Sequence, residues 1–161
     1  MTRRTYAILG AAVLAVAILF AFQIAAAAKT DTVETVAGLT FHDVAAQTRE
    51  FIGYDGSIQL TPEQEAIRVE ALSAIPAPCC SDNSAATCCC PCNMAKSVWG
   101  LSKYLITEKG ADVAQVRQAA QDWFRFINPT GFSGDTCYIG GCNRAFKDNG
   151  CGGMNEHHPV F

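Results

Sequence analysis

The sequence predicts a mainly α-helical protein: a small helical domain with irregular cysteine-rich and glycine-rich loops, preceded by an N-terminal transmembrane or signal-anchor helix. Three features of the 161-residue chain carry this expectation. Residues 6–28 form an almost unbroken apolar run behind Arg3 and Arg4, helix start signals precede apolar residues at helical spacing between 60 and 128, and all nine cysteines lie between Cys79 and Cys151. Over that cysteine-bearing stretch the density is about 12%, above the roughly 8–10% at which a short exported chain reads as a cysteine-held scaffold.

The apolar run is interrupted only by Gly10 and Gln23. As a helix it would extend about 34 Å, enough for a hydrocarbon core of about 30 Å. Its length favours an uncleaved anchor over a secretory signal, although Ala25 to Ala28 supply the small residues of a cleavage site. Arg3 and Arg4 place the N-terminal end in the cytoplasm, so the remainder is expected at the extracytoplasmic face of the cytoplasmic membrane (periplasm), anchored or secreted. From Lys29 onward the charge balance is about −5, and no basic block offers itself to phosphates, which excludes nucleic acid as a partner. The expected partners are the membrane, through the N-terminal helix, a metal ion, and a membrane protein for which this chain is an accessory subunit.

Residues 1–28 are thus read as signal peptide or transmembrane anchor, 29–59 as tether and short helix, and 60–161 as the cysteine-rich helical domain. The threonine-rich stretch 29–35 is polar enough for a tether. A short helix is expected over 43–52, with His42 at its start, and a turn over 53–57, where Gly53 and Gly56 flank Tyr54 and Asp55. The next start is sharper: Thr61 supplies a capping hydroxyl, Pro62 the first helical position and Gln64 the third, with Ala66, Val69 and Leu72 as the inner face and Pro76 and Pro78 as the stop. A helix over 94–108 follows from Met94, Val98, Leu101 and Leu105, with Trp99 beside them and Gly110 as end signal. Asp112 and Gln115 open a last helix whose face is Val113, Val116, Ala120, Trp123 and Ile127, and Asn128-Pro129 closes it. Residues 131–153 hold seven glycines and Cys137, Cys142 and Cys151 with little periodicity. This segment reads as an irregular loop or a pair of short strands that needs cross-links to stay ordered.

The remaining six cysteines crowd residues 79–92: Cys79, Cys80, Cys88, Cys89, Cys90 and Cys92. Adjacent cysteines rarely bridge, because neighbouring Cα atoms are about 3.8 Å apart and a disulfide prefers about 4.4–6.8 Å. Three chemistries fit. A disulfide framework would staple the glycine-rich tail to the 79–92 segment as a structural or interaction module, but an odd total leaves one thiol over. A metal site would draw on the closely spaced thiolates, which suit Cu(I) or Zn(II). Met94 and Met154, each within three residues of a cysteine, tilt that choice toward Cu(I), and His157-His158 add imidazoles. Thiol-disulfide exchange would use Cys89-Cys90-Pro91-Cys92, a C-x-P-C sequence ahead of a helix whose dipole can lower a thiol pKa. Of these, a soft-metal site formed where segments 79–92 and 137–151 meet is the leading expectation, with some cysteines bridged for support and Cu(I) preferred to zinc. Its candidate ligands are Cys79, Cys80, Cys88, Cys89, Cys90, Cys92, Cys137, Cys142, Cys151, Met94 and Met154. No hydrolase, zinc-protease or dinucleotide signature appears, so no catalytic residue is assigned. Asp82, Asn83 and Asp135, near the cysteines, read as turn residues.

Ile75-Pro76-Ala77-Pro78-Cys79-Cys80, with Cys88-Cys89-Cys90-Pro91-Cys92-Asn93, loosely resembles the exported bacterial proteins grouped by a PCYCGC motif. The hexapeptide itself is absent, since Asn93-Met94 follows Pro91-Cys92. The resemblance implies a membrane-attached, extracytoplasmic, cysteine-rich domain and supplies no substrate.

Overall fold

The computed structural model describes Val33, Glu34 and residues 38–161. The expected anchor or signal segment, residues 1–28, lies outside the described residues; among the described ones no helix is long and apolar enough to cross a membrane. Four helices dominate: α1 (Val44–Ser57), α2 (Pro62–Ser73), α3 (Asn93–Glu108) and α4 (Val113–Ile127). Two minimal antiparallel pairs accompany them. β1 (Val33–Glu34) pairs with β2 (Thr40–Phe41), and β3 (Pro76–Ala77) pairs irregularly with β4 (Cys80–Ser84). Two single 3₁₀ turns, Gly141–Asn143 and Phe146–Asp148, interrupt the glycine-rich tail in place of short strands.

Local chemistry sets the helix starts. Asp43 accepts from the amide of Ala46 at 2.9 Å, and Thr61/Gln64 and Asp112/Gln115 form reciprocal capping boxes that satisfy otherwise unpaired first-turn amides. At the far end of α3, Gly110 takes a positive φ of 61°, which a residue with a Cβ adopts only under strain. The helix expected over 43–52 runs on through the expected turn to Ser57. Packing outweighs the cost of two glycines there: Tyr54 stacks on Tyr104 at 4.9 Å, and Asp55 pairs with Lys103 of α3 at 2.8 Å. The inner face of α2 is also rotated from expectation. Ala71 and Leu72 are buried and Ile67 half-buried, whereas Ala66 is exposed and Val69 is 40% exposed.

The core forms where α1, α3 and α4 meet. Trp123 lies 5.1 Å from Phe41 and 5.0 Å from Phe51, ring to ring, and gives its indole N–H to Ser97 Oγ at 3.0 Å. Val98, Leu101, Leu105, Val116 and Ala120 complete it, all fully buried. Burial of this kind contributes about 1.5–3 kcal/mol per large side chain. At Gly100 the backbones of α1 and α3 come so close that a Cβ would sit 1.7 Å from the carbonyl oxygen of Phe51. This framework holds the start of α3 fixed, and the cysteines assemble there.

Candidate metal centre

Backbone hydrogen bonds bring the two cysteine segments together. Gly134 N–H donates to Pro78 O at 3.1 Å, Ser81 N–H to Gly134 O at 2.8 Å and Cys137 N–H to Cys79 O at 2.9 Å. The tail is tied a second time at the N-terminus of α3. Cys92 is the N-cap residue but makes no side-chain cap; instead Gly153 O accepts from the Asn93 amide at 2.9 Å and Cys151 O from the Met94 amide at 3.1 Å. Two of the amides a helix start leaves unpaired are thus satisfied by the tail. The buried Asn93 side chain adds donations to Gly152 O at 2.8 Å and Asn155 O at 2.9 Å. Asn149, the only non-glycine residue with positive φ among those described, clips the tail to itself. Its Oδ1 accepts from Ser133 N–H at 3.0 Å and Thr136 Oγ1 at 2.9 Å.

Two groups of three thiols result. The sulfurs of Cys79, Cys137 and Cys151 lie within 4.8 Å of one another, and so do those of Cys89, Cys90 and Cys137. A triangle with that side has its centre about 2.8 Å from each corner, and a metal–thiolate bond is about 2.3 Å. An ion at the centre would therefore draw each sulfur inward by no more than about 0.5 Å. All nine cysteines are free thiols, so the expected supporting bridges are not formed. The sulfurs rest at nonbonded separations, as for Cys89 and Cys90 at 3.9 Å, against about 2.05 Å in a disulfide.

Cys79 is the hub. The sulfurs of Cys137 and Cys151 lie within 4.8 Å of its own, and hydrogen bonding from thiols, Cys151 first and then Cys88 and Cys92, holds its pKa far below the ordinary thiol value. The donors move the other way: Cys151 is raised by Cys79 and then Cys92, Cys88 by Cys79 and burial, and Cys137 by burial and then Cys79. Cys151 draws Cys92 down, but Cys79 and burial outweigh it and push Cys92 up to about 12. Burial, then Cys89, pushes Cys90 up to about 11. One thiolate is readily held, and a second beside it is opposed by like charge. A cation among the sulfurs would favour further ionisation.

Cys80 is buried at the edge of the cluster, where the Tyr138 hydroxyl at 3.5 Å and the Asn83 amide at 3.4 Å lower its pKa. The single Tyr138 hydroxyl proton goes chiefly to Asp82, at 2.6 Å, so one side chain links the two cysteine segments. Cys142 is half-buried and belongs to neither thiol triangle. Met94 packs in the apolar core, while Met154 is 40% exposed beyond Cys151. His157 and His158 are exposed and join neither thiol group found among the described residues. The exchange reading fares poorly at Cys92, whose fully buried, pKa-raised thiol is the reverse of an activated nucleophile.

The sequence reading passed over Asn93, Asn149 and Tyr138. Asn149-Gly150 is a left-handed turn signal that can be read in a sequence; nothing local marks Asn93 or Tyr138. No protein-family model, no curated protein and no solved structure matches this chain.

Proposed function

We propose that this is an exported, membrane-attached protein that binds a soft metal ion through thiolates, Cu(I) in preference to Zn(II), with Cys79, Cys137 and Cys151 as its principal ligands. The observation that carries the reading is the convergence of those three sulfurs within 4.8 Å, two of them fully buried. Sulfur-only donors suit soft ions and reject magnesium and calcium. Three-sulfur groups favour Cu(I), since zinc in structural sites takes four ligands almost without exception. Export is supported by Arg3-Arg4 and the apolar run behind them, and it strengthens the metal reading. In an oxidising compartment unligated thiols this close together are oxidised, and ligation is what keeps them reduced.

The test is metal analysis with free-thiol counting on protein purified anaerobically without reductant. Stoichiometric copper, with thiols that become titratable only after chelation, is the expected result. Zero or one thiol and no metal would overturn the proposal in favour of a disulfide-stapled module.

A further inference from the structure

The two thiol triangles share one corner, and their other corners differ in access to solvent. Cys79 and Cys151 are buried, whereas Cys89 is exposed and Cys90 half-buried. Cys137 stands between them, half-buried, its backbone fixed by the bond to Cys79 O at 2.9 Å. We infer that the centre is dinuclear: the Cys137 thiolate bridges a buried ion held by Cys79 and Cys151 and an outer, solvent-facing ion held by Cys89 and Cys90.

This rests on the thiolate-metal reading and adds a second ion and an order of loading. A thiolate sulfur has lone pairs enough for two metal bonds, so five cysteines supply six metal–sulfur bonds to two three-coordinate ions. On loading, every S–H bond still present among the five cysteines is lost, its proton passes to solvent and no electrons move. Two Cu(I) ions leave the five-thiolate group at a net charge of −3, two divalent ions at −1. An ion arriving from solvent meets Cys89 first. It reaches the inner position by exchanging Cys89 and Cys90 for Cys79 and Cys151 while Cys137 keeps hold, after which the outer position is free for a second ion.

The full chain, reduced and metal-free, is titrated anaerobically with Cu(I) and followed by native mass spectrometry and X-ray absorption. Two ions per chain are expected, with a short metal–metal scattering path in the loaded protein. C89S/C90S should bind one ion, retained against a chelator that strips the outer ion from the parent. C151S should lose the chelator-resistant ion. No binding by the parent defeats the thiolate-metal reading itself. One ion in the parent and one, equally held, in C89S/C90S leaves that reading standing and overturns the dinuclear inference. Two ions without a metal–metal path overturn the bridge at Cys137, and that measurement needs no variant to fold.

Discussion

Asn93 is the side chain on which the attachment of the tail to α3 most depends, and replacing it by alanine gives a cost that can be worked out. Two donations are lost, to Gly152 O at 2.8 Å and to Asn155 O at 2.9 Å. Neither carbonyl is orphaned, because Gly152 O still accepts from Val160 N–H at 2.8 Å and Asn155 O from His158 N–H at 3.1 Å. Each lost bond therefore counts at its net value of about 1 kcal/mol, without the added desolvation penalty of a buried unpaired group. The small void left by the truncated side chain costs about 1 kcal/mol more. Against this, Asn93 Oδ1 is buried with no partner, and its removal returns about 1 kcal/mol. The net is about 2 kcal/mol, which for a domain of this size lowers Tm by about 6–10 °C. Asn93→Asp should be worse than alanine, since it sets a carboxylate oxygen against two carbonyls in a buried place. Thermal unfolding of the metal-free protein by circular dichroism gives the ranking, and thiol labelling read by mass spectrometry reports whether Cys151 becomes accessible. If Asn93→Ala unfolds at the parent temperature and Cys151 stays protected, the tail is held by something else and the account of the site's assembly is wrong.

Gly100→Ala would place a carbon 1.7 Å from Phe51 O, where about 3.3 Å is an ordinary approach, so α1 must shift by about 1.6 Å; a loss of about 1–3 kcal/mol is expected in urea unfolding, and an unchanged midpoint would refute the close crossing. Tyr138→Phe removes the tie between Asp82 and the tail at 2.6 Å, and its cost should be on the order of 1 kcal/mol at an unchanged urea m-value. Lys96, bonded to Glu156 at 2.6 Å, holds that carboxylate below its ordinary value of 4.5. The pair therefore adds stability that is fully present above that value and is lost as pH falls through the depressed one. Protection of the amides in residues 154–158, taken relative to free-peptide exchange rates at each pH, should fall over that acid range, and Glu156→Gln should remove that change in protection.

The helical part of the fold was legible because its signals are local. Capping boxes at Thr61 and Asp112, and the apolar period from Met94 to Leu105, each act within a turn or two. Where neighbours decide, the reading slipped: α1 crosses Gly53 and Gly56 because Tyr104 and Lys103 stabilise its last turn from another helix. From the cysteine spacing the two segments are expected to meet, and the structure brings them together. The spacing could not show that Cys137, rather than Cys142, would reach Cys79. That choice is made by peptide groups of Pro78, Cys79, Ser81, Gly134 and Cys137, and peptide groups leave no side-chain signature. The sharing of Cys137 between two triangles is hidden for the same reason.

The tail explains why a metal would suit this architecture. Fixing a residue costs on the order of 1–2 kcal/mol, and residues 131–153 bury few side chains, chiefly Phe146 and Cys151, to offset it. Their order rests on backbone hydrogen bonds worth about 1 kcal/mol each and on the clips at Asn93 and Asn149. Such a segment can hold three sulfurs close to a coordinating geometry, but it holds them weakly. An ion that joins Cys79 to Cys137 and Cys151 closes the loop from both ends, and its binding energy adds directly to the stability of the tail. The aromatic cluster around Trp123 takes no ring from the tail, yet Phe146 and Cys151 are buried in the same hydrophobic core. An ion held there would therefore stabilise the tail and, through the core that Phe146 and Cys151 share with Trp123 and Leu101, the helices with it.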